Sequence, residues 1–191
     1  IPADFGKGAS PTAGSFAQFP KSPELNPQGK PIAVEAWISA TNPNGVIVAR
    51  GGPAEGFALT IEEGKPNFHI RSTSTLNTVT GPRRIVGGWH HVVGVVTADK
   101  EMKLFVDGKQ VAQSKATGLL TKDPAQSLDI GADSATSVGN YAAPNSFTGI
   151  IDEVRIYFND IEDKAIEERF KNGSELSNDP RLVITFDDGT A

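Results

Sequence analysis

The stretch from Trp89 to Ser114 is a β-hairpin by its own local chemistry. WHHVVGVVT (89–97) and EMKLFV (101–106) run into Asp107-Gly108 and out through KQVAQS (109–114). Asp-Gly between two alternating segments favours a two-residue type I′ turn, because both central positions need positive φ. The same reading extends outward along the chain. IAVEAWIS (32–39) alternates, with Val34, Ala36 and Ile38 on one face and Ala33, Glu35 and Trp37 on the other. GVIVARG (45–51), GFALTIEEG (56–64) and PNFHIRS (66–72) follow at spacings of roughly ten residues, the mark of a sandwich or barrel and not of βαβ units. SLDIGA (127–132) is a further short strand. FTGIIDEVRIYF (147–158) is long and apolar on both faces, which places it inside its sheet, and RLVITFDDGT (181–190) is a last strand ending in a turn. Only 161–173, IEDKAIEERFKNG, reads as helix. Asp160 is its expected cap, Ile161, Ala165, Ile166 and Phe170 form its apolar stripe, and Gly173 stands just past its end. Such a helix is a lid on a sheet.

Composition supports a single β-domain. Of 191 residues 38% are hydrophobic, and 20 Gly with 13 Pro stay below the roughly 25–30% of low-complexity disorder. A domain of this size buries on the order of 70% of its unfolded-chain surface, so it needs neither disulfide nor metal to fold. The absence of cysteine excludes disulfides, thiolate metal sites and cysteine nucleophiles. A net charge of −5 without like-charge blocks argues against nucleic-acid or anionic-membrane partners. No apolar run approaches the ~20 residues of a membrane helix. Residues 1–15 read as a Gly/Pro-rich arm or linker. The start at IPADFG, without Met or a signal-like segment, leads us to expect a processed chain or an excised domain.

Catalytic chemistry finds little anchor. His90 and His91 are neighbours on a strand, so they point to opposite faces and cannot share a metal ion, and His69 stands alone on another strand. All three read as sandwich histidines. No nucleophile elbow, phosphate loop or HExxH motif occurs. A glycosidase needs two carboxylates about 5–10 Å apart facing one cleft. The adjacent pairs Glu62-Glu63 and Asp152-Glu153 fail that test, because neighbouring strand residues face opposite ways.

WHHVVGVV, KLFVDGKQV, LDIGA and FTGIIDEVRIYFNDI, in this order and spacing, resemble the laminin-G-like, concanavalin-A-type jelly-roll family. AVEAWIS is similar to an early strand of that family, and the resemblance covers roughly residues 16–170. It implies an all-β, antiparallel two-sheet jelly-roll sandwich with one short helix near the C-terminus. It also implies a non-catalytic module of a secreted bacterial protein, with carbohydrate as the ligand. The alternatives are a structural domain buttressing a neighbouring sulfatase or glycosidase domain, and a β-sandwich glycosidase or lyase. LVITFDDGT (182–190) resembles a first strand of such domains, yet stands last. We expect it to pair into this sandwich as a permuted strand rather than to open a following module, since an isolated apolar strand is a liability.

The resemblance further implies a structural Ca²⁺ site. Asp152 occupies the matching place, in IDEV, on a face expected to hold Val154, Ile156 and Phe158. Asp187 would add a second hard oxygen ligand. For the ligand itself, the polar segment 133–146 is the expected contact loop. It offers Asp133, Tyr141 as a sugar platform, and the amides of Asn140 and Asn145. Arg83 and Arg84 could take an anionic glycan through bidentate contacts. Trp37 and Trp89 are assigned to the core.

Overall fold

Alternation along the strands resolves into two facing sheets. The computed structural model describes residues 16–185. The arm expected at 1–15, and Phe186 and Asp187 in the terminal segment, lie outside the described residues. The chain forms β1 (Ala17–Phe19), β2 (Ile32–Ala40), β3 (Gly45–Gly51), β4 (Gly56–Glu62), β5 (Lys65–Ser72), β6 (Thr75–Thr80), β7 (His90–Val96), β8 (Glu101–Val106), β9 (Lys109–Lys115), β10 (Leu128–Ile130), β11 (Gly149–Tyr157), α1 (Asp163–Asn172) and β12 (Pro180–Ile184). One six-stranded sheet runs β12-β11-β2-β7-β8-β9, the other β1-β10-β3-β4-β5-β6, with antiparallel neighbours throughout. The terminal strand β12 takes the edge beside β11, with Val154 opposite Ile184 and Ile156 opposite Leu182. β11 thus has a strand neighbour on each side, with Ile151, Val154 and Ile156 turned to the opposite sheet and Asp152, Arg155 and Tyr157 turned outward.

The sandwich core comes from the faces that meet. Val34, Ala36 and Ile38 of β2, Val92 and Val96 of β7, and Val154 and Ile156 of β11 pack against Leu59 of β4 and Phe68 and Ile70 of β5. Gly94 of β7 leaves room for the ring of Phe68, since a Cβ there would fall 2.4 Å from Cγ and Cδ2 of that ring. Asp107 and Gly108 both adopt positive φ, 52° and 75°, as the hairpin requires. β6 was not legible in the alternation. TLNTVT is Thr/Asn-rich, and only Val79 is buried, because the strand closes a sheet edge.

Both sheets are also covered from outside. α1 and the segments on either side of it pack Ile161, Ile166 and Leu176 onto Ala33, Val93, Val95, Phe105 and Tyr157. The helix begins two residues later than expected. Glu162 is its N-cap and makes no side-chain capping bond, while the Asp160 carboxylate instead accepts the Ala98 N–H at 2.9 Å. Gly173 ends the helix at φ 77°, donating to the Arg169 carbonyl. On the other sheet, Val138 and Tyr141 lie over Val46, Ala49 and Ala58. Trp37 is buried beneath α1, its ring stacked 5.7 Å from that of Phe170. Trp89 departs from its core assignment, being half-buried just ahead of β7, where Gly87 and Gly88 turn the chain.

Candidate functional site

The loop 133–146 is fastened to the sandwich by the residue expected to meet a ligand. Asp133 is 2% exposed, and its Oδ2 accepts the Val138 N–H at 3.1 Å and the Tyr141 hydroxyl at 2.7 Å. Its own N–H donates to the Pro144 carbonyl, and Val46 N–H donates to that of Asn145. Burial raises the Asp133 carboxyl above its ordinary value. The Tyr141 and Val138 hydrogen bonds oppose that rise, and the Asp129 charge adds to it. Tyr141 is therefore not a free-standing platform. It is half-buried, its ring edge faces His69 at 6.0 Å, and its hydroxyl is already used. Asn140 is exposed, and Asn145, like Tyr141, is half-buried. Asp133→Ala should cost about 1–3 kcal/mol, since it strands a buried hydroxyl and N–H. Hydrogen exchange should show 133–146 losing protection while β2, β7 and β11 keep theirs.

The sequence alternation sets Asp152, the expected calcium ligand, on the face of β11 that holds Val154 and Ile156. The structure puts it on the other face. A bulge between Asp152 and Arg155, with Glu153 at φ 53°, resets the alternation. Asp152 thus pairs with Trp37 and Arg155 with Glu35 under α1, whereas Val154 and Ile156 stay in the core. Asp152 Oδ1 accepts the Glu153 N–H at 2.7 Å. Among the described residues no three His, Asp or Glu side chains come together as a metal would need, and Asp187 lies outside them. Calcium takes 6–8 oxygen ligands, main-chain carbonyls among them, and Asp152 is the one expected carboxylate among the described residues. Thermal melts in excess EDTA and in millimolar calcium decide the expectation, and superimposed curves would remove the metal. A calcium-dependent rise of several degrees would support it.

Polar networks hold both outer faces. His69 Nε2 lies 2.7 Å from Glu62 Oε1 and 3.1 Å from Thr60 Oγ1, and its Nδ1 lies 2.9 Å from Thr78 Oγ1. The His69 hydrogen bond holds Glu62 below the ordinary carboxylate range. Under α1, Arg169 Nε donates to Glu35 Oε1 at 2.5 Å and Nη2 to Glu153 Oε2 at 2.9 Å, with His91 Nε2 3.2 Å from Glu35 Oε1. The sequence hid this network, because Glu35, Glu153 and Arg169 are far apart in the chain.

A concave site opens at one end of the sandwich, around the Asp107-Gly108 turn. The cleft holds about 510 Å³. Ile85, Val106, Val111 and Phe170 give it an apolar lining, and Arg83, Arg84, Lys109 and His90 its polar groups. His90 Nδ1 meets Asp107 Oδ2 at 2.9 Å, and Asp107 Oδ1 accepts the His91 N–H, so this carboxylate is internally satisfied. The backbone that carries the arginines is pinned. Gly81 N–H donates to Pro66, Ile85 N–H to Gly64 and Gly87 N–H to Ala40. A preformed, largely apolar concavity with a few converging polar groups is what a small-ligand site requires.

An antiparallel two-sheet sandwich of this topology is a concanavalin A-like jelly roll. The chain belongs to the laminin-G-type family of the concanavalin A-like lectin/glucanases superfamily, whose family model matches residues 11–167. Comparison with the curated proteins gives no match. Among solved structures, the chain is similar to a candidate carbohydrate-binding protein from Bacteroides ovatus ATCC 8483, with TM-score 0.63 at 17% identity, covering 95% of this chain and 48% of that one. It is similar to the CBM40 of the Ruminococcus gnavus IT-sialidase bound to α2,3-sialyllactose, with TM-score 0.60 at 16% identity, covering 74% and 83%. It is also similar to domains LG4-5 of the mouse laminin α1 chain, with TM-score 0.61 at 19% identity, covering 80% and 40%. The chain spans less than half the length of the Bacteroides and laminin proteins. At these identities the likeness is one of fold.

Proposed function

We propose that the chain is a non-catalytic carbohydrate-binding module of an extracellular protein. The observation that carries this reading is the cleft at the sandwich end, with its apolar lining and converging cationic and imidazole groups on a pinned backbone. Sugars present C–H faces to apolar surface and hydroxyls to fixed donors, which such a cleft offers together. The sugar-bound CBM40 and the Bacteroides protein support the ligand class. Its non-catalytic character is supported by the lining of the cleft, whose one carboxylate, Asp107, is held by His90 and the His91 N–H, where a glycosidase uses two.

Screening on a glycan array, followed by calorimetry on the hits, tests the proposal. Saturable binding of at least one oligosaccharide at millimolar affinity or better is expected, without new reducing ends. Failure of every glycan to bind overturns it, and turnover of a bound one would make the chain an enzyme.

A further inference from the structure

Three cations crowd one end of a chain whose net charge is −5. Arg83 and Lys109 are exposed, and among the described residues neither side chain has a hydrogen-bond or ion-pair partner. Arg84 is held in place without being neutralised. Its Nη1 donates to the Glu63 carbonyl at 2.6 Å, and its guanidinium packs over Gly64, where a Cβ would fall 2.8 Å from Cζ. The one carboxylate lining the cleft, Asp107, is occupied by His90 and the His91 N–H. His90 spends only Nδ1 on that contact. The cleft therefore gathers three cations, of which Lys109 feels the nearby carboxylate of Glu167 on α1, beside an apolar lining suited to a sugar ring.

We propose that this cleft is a site for carboxylate-bearing saccharides, with Arg83 and Lys109 as its specificity-determining residues. The inference rests on the carbohydrate-binding reading and names its ligand class. A guanidinium presents paired N–H groups that match the two oxygens of a planar carboxylate, and Lys109 adds a point charge across the cleft. Arg84, tethered through Nη1, supplies a fixed positive field. The loop that carries both arginines is bonded to Pro66, Gly64 and Ala40, so little ordering entropy is lost on binding.

The test compares an oligogalacturonate with its methyl ester, two ligands of one backbone that differ in charge. Calorimetry on the full chain should give at least tenfold tighter binding of the acid in low salt. That preference should shrink as ionic strength rises and the Debye length falls below about 8 Å. It should be lost in Arg83→Ala/Lys109→Ala and in Arg83→Glu, while Lys164→Ala, on the exposed side of α1, keeps it. Both altered residues are exposed, so melting curves should match the parent and exclude misfolding. Equal affinity for acid and ester overturns the inference and leaves the carbohydrate-binding proposal standing. So does an acid preference that survives both variants. A preference for dextran sulfate over the oligogalacturonate overturns the carboxylate assignment. If no glycan binds at all, both proposals fall together.

Discussion

Arg169→Met is expected to lower stability by about 3–5 kcal/mol, the cost of leaving a buried charge without its partner. Arg169 is 6% exposed and bridges Glu35, which is fully buried, to Glu153. With the guanidinium gone, Glu35 keeps only His91 at 3.2 Å. For a chain of this size the loss is a fall in melting temperature of about 10 °C. Burial alone would raise the Glu35 carboxyl. Its hydrogen bonds and the charges of His91 and Arg169 outweigh that and hold it below its ordinary value of 4.5. A lowered carboxylate stabilises fully above its unfolded value, and the contribution disappears as pH falls from about 4.5 toward the folded one. The parent should therefore lose stability on acidification through that window, and Arg169→Met should lose less there. The double variant Glu35→Leu/Arg169→Met should recover most of the loss, since apolar replacement of a buried pair is often neutral. If Arg169→Met melts with the parent, the network does not anchor α1.

The contact between the sheets at Gly94 and Phe68 should give the second large effect. Phe68→Ala should cost about 3–5 kcal/mol by urea denaturation, the usual range for emptying a buried aromatic site. Gly94→Ala should cost about 1–3 kcal/mol, because its methyl would meet the Phe68 ring at 2.4 Å. The two costs should not add. In Phe68→Ala/Gly94→Ala the new methyl enters the space the ring leaves, so the double variant should be more stable than Phe68→Ala alone. Simple additivity would mean that the two residues do not share one volume.

What the sequence reveals and what it hides divide along physical lines. Alternation and turn chemistry are local, so β2, β7, β8 and the Asp107-Gly108 turn are legible, as is the Gly173 helix stop. The bulge after Asp152 is not. Nothing in IDEVRIY announces that Glu153 takes φ 53°, yet that one angle moves Asp152 from the core face to the face under α1. The sequence also marks Arg83 and Arg84 as candidate ligand residues, but not the cleft around them. That cleft is assembled from β5, the 81–85 loop, the β8–β9 hairpin and α1, whose proximity only the fold supplies. Loop 133–146 is the reverse case. Its composition reads as recognition, whereas Asp133 turns inward and spends the Tyr141 hydroxyl on holding the loop shut.

The central claim, that the cleft at the Asp107-Gly108 end binds carbohydrate, is tested most directly by following backbone amide resonances during a titration with the tightest-binding oligosaccharide. The account predicts saturable shifts confined to Arg83, Arg84, His90, Lys109 and Phe170 and their neighbours, with 133–146 unmoved. Saturable shifts centred on 133–146, or on the edge strands β1 and β12 with the cleft silent, would contradict it.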